Sequence, residues 1–339
     1  MPISIPLALD GSWQSAKVLV TGAGGFIGSH LVEALVSLGA QVRAFVHYNS
    51  RNDPGFLTLL PEETLGQVDI VLGDLRDSPA VGQAVAGCDT VFHLGALISI
   101  PYSYQNPTAV AETNLMGTLN ILQACREAGA QRVVHTSSSE VYGSALAVPI
   151  DEDHPLQGQS PYSASKIGAD KLAESFHCAY DLPVVTVRPF NTYGPRQSDR
   201  AVMPTIIAQA LVQDVVYLGN LETRRDLTYV SDIVEGFLRS AQTPGVEGDT
   251  FNLGTGTEIR IKDLARNIIA IIGRPVDILV DPARLRPEKS EVQRLCADSS
   301  RAGERLGWVP EVSLQEGLRH TIDWVAENLH RYRIGVYQV

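Results

Sequence analysis

The 339-residue sequence has few cysteines, a deficit of positive charge and no long apolar run. Its four cysteines form neither a CxxC pair nor a metal-ligand spacing, which predicts free thiols and no metal site. Lys and Arg total 27 against 38 Asp and Glu, a formal net charge of −11, which argues against a nucleic-acid partner. No stretch approaches the roughly 20 apolar residues of a membrane helix, and no signal-peptide pattern opens the chain. We therefore expect no membrane contact and a cytoplasmic location.

Internal repeats, low-complexity tracts and long linkers are also missing, and short Val- and Ile-rich runs alternate with longer amphipathic stretches. The runs that predict strands are 17–21, 41–46, 69–73, 90–94, 132–137 and 183–188. Because these runs are continuously apolar, we expect helices on both faces of a parallel sheet, an α/β fold of the doubly wound Rossmann type. We predict a Rossmann domain over 1–190, to which the chain returns around 227–251. A second, smaller α+β domain would take up most of 191–339, with helices at 202–213, 231–241 and 262–272.

A glycine-rich segment directly follows the first predicted strand. Residues 22–28 read GAGGFIG, a GxxGxxG spacing that leads into a helical pattern. Glycines at these positions allow a sharp turn and let backbone N–H groups approach a pyrophosphate, while the last glycine permits close packing of helix on strand. In this strand–turn–helix context the segment predicts a dinucleotide site. The candidate contacts are Gly22, Gly25, Phe26, Ile27 and Gly28.

The residues after the second strand leave the choice between NAD and NADP open. The carboxylate that would bind the ribose 2′-hydroxyl of NAD is absent from 46–51, and Arg51 could instead meet the 2′-phosphate of NADP. Asp74, after the third strand, could accept a hydrogen bond from the adenine amino group or be a surface turn acid.

Tyr162 and Lys166 form a YxxxK spacing at the start of a predicted helix, which places both on one helix face. A phenol with a pKa of about 10 acts as a base near neutral pH only where a cation stabilises the phenolate. Lys166 and an oxidised nicotinamide would supply that charge. Ser138, Ser139 and Glu140 follow the fifth strand, at the sheet edge where α/β proteins bind ligands.

Together these segments resemble the extended short-chain dehydrogenase/reductase family, in its nucleotide-sugar branch, over nearly the whole chain. Besides GxxGxxG and YxxxK, the similar segments are HLGA at 93–96, TNLMGT at 113–118 and RPFNTYGP at 188–195. The resemblance implies bound NAD, with Leu75, Leu94, Ala96 and Asn114 among its contacts. It also implies a homodimer, in which helices over 107–128 and 161–180 pair into a four-helix interface.

Within that branch, the Ser-Ser-Glu at 138–140 is similar to sequences of GDP-mannose and UDP-N-acetylhexosamine dehydratases and of UDP-glucuronate decarboxylases. The segments 149–162 and 286–292 resemble UDP-N-acetylglucosamine 4,6-dehydratases of bacterial nonulosonate (legionaminate-type) pathways. The dTDP-glucose dehydratases have Asp where this chain has Ser139. Glu140 is therefore the nearby carboxyl group and would act as both base and acid.

The resemblance thus implies an NAD-dependent hydro-lyase, a 4,6-dehydratase acting on a nucleotide sugar and by preference on UDP-N-acetylglucosamine. Tyr162, assisted by Ser138 and Lys166, would take the C4 hydroxyl proton as hydride passes from C4 to NAD. Glu140, with Ser139 positioning, would remove the C5 proton and protonate the departing C6 hydroxyl. The stored hydride would then add to C6.

Arginine forks and amide groups suit the diphosphate of such a substrate. The candidate substrate contacts are Asn191, Arg225, Asn252 and Arg286.

Three alternatives to the 4,6-dehydratase stay open. A UDP-glucuronate decarboxylase shares the oxidation but releases CO₂, and a nucleotide-sugar 4-epimerase would leave the carboxyl group of Glu140 idle. The intact Tyr162, Lys166 and Glu140 argue against the third, a non-catalytic dinucleotide-binding regulator.

Overall fold

The structure is a computed structural model that describes residues 13–337. Seven parallel strands form its large sheet, in the spatial order β3-β2-β1-β4-β5-β6-β10. These strands are β1 (Lys17–Thr21), β2 (Gln41–His47), β3 (Val68–Gly73), β4 (Thr90–His93), β5 (Arg132–Thr136), β6 (Val184–Pro189) and β10 (Thr250–Leu253). The predicted fold class is confirmed. All six predicted strands are present, although Leu94 and Ser137 lie just beyond the ends of β4 and β5.

Helices cover both faces of this sheet, as the apolar runs predicted. The α-helices of residues 13–337 are α1 (Phe26–Ser37), α2 (Glu62–Leu65), α3 (Ser78–Val85), α4 (Ile100–Gln105), α5 (Pro107–Ala111), α6 (Gly117–Ala128), α7 (Pro161–Tyr180), α8 (Val202–Val212), α9 (Val230–Gln242), α10 (Ile261–Ile272), α11 (Ser300–Leu306) and α12 (Leu314–Glu327). Those that pack on the large sheet include α1, α3, α6, α7 and α9. Helix α7 begins where the sequence predicted because Ser160 caps it, its hydroxyl accepting from the Ser163 N–H (3.1 Å).

The single helix predicted over 107–128 is instead three consecutive pieces. A π-helical turn, Glu112–Met116, separates α5 from α6. This turn contains Asn114, whose amide exchanges two hydrogen bonds with the backbone of Leu97 (2.8 and 3.0 Å). The interruption ties the helix to the segment that follows β4, and π turns of this kind are frequent at functional sites.

Smaller sheets lie beside the large one. β9 (Arg224–Tyr229) pairs with β11 (Glu258–Arg260), β13 (Arg294–Leu295) and β7 (Asn191–Tyr193), while β8 (Val215–Leu218) pairs with β12 (Asp277–Val280). Helix α9 leads from β9 back to β10, which joins the large sheet beside β6. The proposed boundary at residue 190 stays a prediction.

The order of the large sheet reverses between β1 and β4, which opens a crevice above the carboxyl ends of these strands. An apolar cluster that includes Val141, Phe190, Val292 and Leu295 packs the segment after β5 against the residues around β13. Side chains from both halves of the chain therefore meet at this edge of the large sheet.

Within 13–337, no helix is long and apolar enough to cross a membrane. In the same range, no group of three or more His, Cys, Asp or Glu side chains could hold a metal ion. The four cysteines all belong to this part of the chain and are free. Cys178 is exposed, whereas Cys88, Cys125 and Cys296 are buried.

Candidate active site

The glycine loop, residues 22–28, makes a tight turn between β1 and α1. The Gly25 N–H donates to the Gly22 carbonyl (2.9 Å), and Gly22 has a φ of 68°. A Cβ on Gly28 would overlap the same carbonyl oxygen. Helix α1 has neither a side-chain cap hydrogen bond nor an acidic residue in its first turn. The N–H groups of Phe26 and Ile27 at this helix start therefore face an anion-binding position.

The loop after β2 packs directly on the glycine loop, a contact that the GxxGxxG spacing did not predict. The Phe56 N–H donates to the Gly24 carbonyl (2.9 Å), and a Cβ on Gly24 would lie 2.5 Å from the Pro54 carbonyl oxygen. The Pro-Gly pair at 54–55 was its one signal in the sequence. Arg51 is exposed in this loop, with its N–H donating to Asn49 Oδ1 (3.1 Å).

The other candidate cofactor contacts lie around the ends of β3 and β4. Leu75 is buried, while Leu94 and Ala96 are partly buried. Asp74 pairs with Arg76 (2.6 Å), and this hydrogen bond lowers the pKa of the Asp74 carboxyl to about 2. Asp74 is thus ionised at neutral pH, so its carboxylate can still accept the predicted hydrogen bond from an adenine amino group. The closed glycine turn, the uncapped helix start and this carboxylate together fit a dinucleotide cofactor.

Tyr162 and Lys166 are both buried, one turn apart on α7. The Lys166 ammonium donates to the carbonyl of Thr136, the last residue of β5 (2.5 Å). Burial lowers the pKa of Lys166 to about 8, while the charge of Asp170 opposes this shift. Asp170 was not among the predicted site residues, although its i,i+4 spacing from Lys166 could have identified it.

The Tyr162 side chain meets the segment that follows β5. Burial raises the pKa of Tyr162 to about 12; a hydrogen bond with Ser138 lowers it and the charges of Glu140 and Asp170 raise it. Ser138 caps the 3-10 helix Ser139–Tyr142, its Oγ accepting from the Glu140 N–H (3.2 Å). Ser139 is buried and Glu140 is half-buried. The Ser138 hydroxyl and the Glu140 carboxylate therefore both act on the Tyr162 phenol, and their catalytic roles stay a prediction.

Arg225, Arg286 and Glu291 form what we call the arginine cluster. The Nη2 atom of Arg225 and the Nη1 atom of Arg286 lie 3.7 and 3.8 Å from Glu291 Oε1. Arg286 Nη1 is buried, with no hydrogen-bond partner among residues 13–337. The charge of Glu140 also acts on Arg225, so the two guanidinium groups face two carboxylates. Their N–H groups remain suited to an anion such as a diphosphate. The two arginines were predicted together as substrate contacts, whereas Glu291 was not a predicted site residue.

The two candidate asparagines differ in what their side chains contact. Asn191 begins β7, and its buried Oδ1 has no hydrogen-bond partner in the described part of the chain. Asn252 is fully buried in β10, where its Oδ1 accepts from the Tyr142 hydroxyl (2.7 Å) and its Nδ2 donates to the Ile150 carbonyl (3.0 Å). The expected substrate contact of Asn252 does not fit this geometry, because the protein itself uses these polar atoms. Asn252 connects β10 to the segment after β5.

Residues 19–321 match a family described as GDP-mannose 4,6 dehydratase. The chain belongs to this family. It is 35% identical over 314 residues to a UDP-glucose 4-epimerase of Mycolicibacterium smegmatis, covering 91% of this chain and 98% of that protein. The relatives of this sequence therefore have more than one activity.

Solved relatives have the same fold and show the same mixture of activities. DesIV, a dTDP-glucose 4,6-dehydratase from Streptomyces venezuelae with NAD bound, is 29% identical, with a TM-score of 0.80 over 93% of this chain and 98% of its own. A UDP-N-acetylglucosamine 4-epimerase from Methanobrevibacter ruminantium M1, in complex with UDP-N-acetylmuramic acid, is 30% identical, with a TM-score of 0.84 over 93% and 99%. The predicted nucleotide-sugar branch is confirmed by these similarities. The narrower legionaminate-type assignment is not.

Proposed function

We propose that this protein is an NAD-dependent 4,6-dehydratase of UDP-sugars, with UDP-N-acetylglucosamine as its substrate. The placement of Glu140 beside Tyr162 carries the proposal. A 4,6-dehydratase needs a base at C4 and a second acid–base group at C5 and C6, whereas a 4-epimerase needs only the base at C4. The charge of Glu140 acts on the Tyr162 phenol, which supports a role for both groups on one sugar ring.

The NAD assignment draws on the glycine loop and on NAD in solved relatives such as DesIV. When bound, NAD would accept the C4 hydride and return it to C6, so the reaction has no net redox change.

Tyr162 takes the C4 hydroxyl proton, helped by its hydrogen bond with Ser138. Because burial holds the Tyr162 pKa near 12, this step also needs positive charge, which Lys166 provides in part.

The carboxylate acts in the second stage. Oxidation at C4 acidifies the C5 proton, which Glu140 removes as a general base. Glu140 passes this proton to the C6 hydroxyl, which leaves as water to give a 4-keto-5,6-ene, and Ser139 positions this exchange. When the hydride is returned to C6, Glu140, reprotonated from solvent, would donate a proton to C5. The sugar loses one water and becomes a 4-keto-6-deoxy sugar.

Asn191, Arg225 and Arg286 hold the substrate diphosphate in this proposal. Asn191 Oδ1 and Arg286 Nη1 are buried without a hydrogen-bond partner in the described part of the chain, which indicates that a ligand completes this surface. The choice of a UDP-sugar is supported by the solved epimerase complex with UDP-N-acetylmuramic acid.

The second candidate is a UDP-sugar 4-epimerase, which the 35% identical mycobacterial relative favours. The decisive experiment incubates the protein and UDP-N-acetylglucosamine in deuterated water and identifies the product by NMR. We expect a 4-keto-6-deoxy product with deuterium at C5 and the original C4 hydrogen at C6. The 4-epimer UDP-N-acetylgalactosamine would instead establish the epimerase. A parallel incubation with UDP-glucuronate that gives a UDP-pentose would establish the decarboxylase.

Glu140→Gln tests the assigned role in the same assay. This variant is expected to oxidise C4, seen as the near-ultraviolet absorbance of reduced nicotinamide, and to release no dehydrated product. Asp153→Asn is the matched control, because Asp153 is a largely exposed acid that pairs with Arg301. Normal dehydration by Glu140→Gln would remove Glu140 from the mechanism.

We also propose that the protein is a homodimer formed through α5, α6 and α7. These helices already pack side by side within the chain, and Met116 and Tyr180 at their ends are 46% and 51% exposed. Light scattering is expected to give twice the 36.7 kDa mass of one chain. A monomer mass would contradict this assembly.

A further inference from the structure

Beneath Tyr162 and Lys166 lies a buried group of polar side chains that the proposed reaction does not use. We call it the Asp170 cluster, and it consists of Asp170, His135, Ser137 and Arg188. None of the four is more than 6% exposed. Burying a carboxylate costs several kcal/mol unless hydrogen bonds and opposite charge compensate. We therefore expect this buried group, next to the reacting residues, to have a functional role.

Asp170 joins three elements through its two oxygens. Oδ2 accepts from the Ser137 hydroxyl (2.8 Å) and from Nε and Nη2 of Arg188 (3.2 and 3.1 Å), while Oδ1 lies 3.1 Å from His135 Nε2. His135 belongs to β5, Ser137 directly follows it, and Arg188 belongs to β6. The carboxylate thus fixes α7 against the carboxyl ends of both strands.

The strand end held in this way carries the reacting groups. Ser138 follows Ser137 directly and forms the hydrogen bond with Tyr162, and the Thr136 carbonyl accepts from Lys166. A displacement of α7 along β5 would lengthen both contacts together. Asp170 therefore sets the geometry of the reacting groups without touching the substrate.

The same carboxylate is the anion that faces Lys166. Tyr162 lies on the same helix, and the other titratable groups facing Lys166 are His93 of β4 and His135 of β5. Burial lowers the pKa of both histidines, so both rings are neutral at neutral pH.

Asp170 itself is ionised. Burial alone would raise its pKa, but the hydrogen bond from His135 and the charge of Arg188 hold the pKa below its usual value. Its single negative charge thus lies between the cations Arg188 and Lys166.

We propose that Asp170 is a positioning residue that locks α7 to β5 and β6 and supplies the negative charge that keeps Lys166 an ammonium. The role of Lys166 in catalysis rests on the proposed function. The charge effect of Asp170 does not, so it can be measured on the ligand-free protein.

The test follows lysine titration by NMR. The sequence has five lysines, so ¹³C labelling at lysine Cε gives five signals, and Lys166→Arg identifies the one from Lys166. In the wild type we expect Lys166 to titrate near pH 8. Asp170→Asn should lower the pKa of Lys166 by about one pH unit or more, because an adjacent opposite charge typically shifts a pKa by ~1–3.

Arg188→Gln gives a second, opposite result. It removes a positive charge that partly cancels the negative charge of Asp170, so the pKa of Lys166 should rise. A purely structural role would move the pKa in the same direction in both variants, or in neither. If Asp170→Asn fails to fold, a rise in Arg188→Gln still supports the proposal, and a fall or no change overturns it. A wild-type Lys166 that titrates below pH 7 also overturns it, whichever variants fold.

Glu174→Gln is the matched control on the same helix. Glu174 is exposed and pairs with Lys171 (2.5 Å), so this variant should shift the Lys171 signal and leave that of Lys166 unchanged. The product assay with UDP-sugars is run separately. A failed product assay with the expected lysine titrations would contradict the proposed function and leave the charge role of Asp170 standing.

Discussion

The glycine loop and the arginine cluster are both suited to phosphate groups, but they are built in different ways. The glycine loop consists of seven consecutive residues and uses backbone N–H groups at the start of α1. The arginine cluster collects side chains from β9 and from the segment before β13, and it includes the carboxylate of Glu291. The first site is set by local backbone geometry, and the second depends on how distant segments pack.

This difference has an electrostatic consequence. The first turn of α1 contains no acidic residue, so an anion meets only the positive end of the helix. At the arginine cluster an incoming diphosphate must share Arg225 and Arg286 with Glu291, and Arg225 with Glu140 as well. A nucleotide sugar therefore gains less binding energy there than two free guanidinium groups would provide.

The largest expected effect of a single substitution is at the glycine loop. A Cβ at Gly28 would overlap the Gly22 carbonyl oxygen, which belongs to the backbone and cannot turn away. We expect Gly28→Ala to lower the free energy of unfolding by about 3 kcal/mol, the upper end of typical overpacking costs. Because the loop must move to relieve the overlap, its N–H groups no longer fit the pyrophosphate. Calorimetry should show the affinity for NAD falling on the order of 100-fold, which corresponds to about 2.7 kcal/mol of binding free energy.

Gly82→Ala is the matched control. Gly82 lies inside α3, and an added Cβ would meet no heavy atom within 4 Å outside the backbone of its own helix among residues 13–337. This variant should gain roughly 0.5–1 kcal/mol of stability, because glycine is a poor helix former, and should bind NAD normally. Equal NAD affinity in both variants would show that the glycine loop tolerates a side chain and is not the rigid site described here.

The same contrast explains how much of the molecule could be predicted from the sequence. Apolar runs and the GxxGxxG and YxxxK spacings are local patterns, and they predicted six strands, the glycine loop and the position of α7. The contact of Pro54 with Gly24, the carboxylate of Glu291 and the hydrogen bonds of Asn252 join residues far apart in the chain. No local spacing encodes such pairs. Asp170 is intermediate, since its helical spacing from Lys166 was visible and its contacts with β5 and β6 were not.

The smallest expected effects separate the two asparagines. Asn191→Ala removes an acceptor that is free for a ligand, and a neutral hydrogen bond contributes about 1 kcal/mol. KM for the nucleotide sugar should therefore rise about 5-fold, with little change in the melting temperature. Asn252→Ala leaves the Tyr142 hydroxyl and the Ile150 carbonyl unpaired in the interior. It should lower the free energy of unfolding by about 1–3 kcal/mol and leave KM within about 2-fold of the wild type.

Thermal denaturation and steady-state kinetics on the two variants, side by side, measure both quantities. Arg286→Ala provides the reference for a lost substrate contact, since the charged hydrogen bond it removes is worth about 1.5–3 kcal/mol and KM should rise at least ~10-fold. A large KM increase in Asn252→Ala with normal stability would restore the substrate contact expected from the sequence. It would also mean that the hydrogen bonds from Asn252 to the Ile150 carbonyl and from the Tyr142 hydroxyl open when substrate binds.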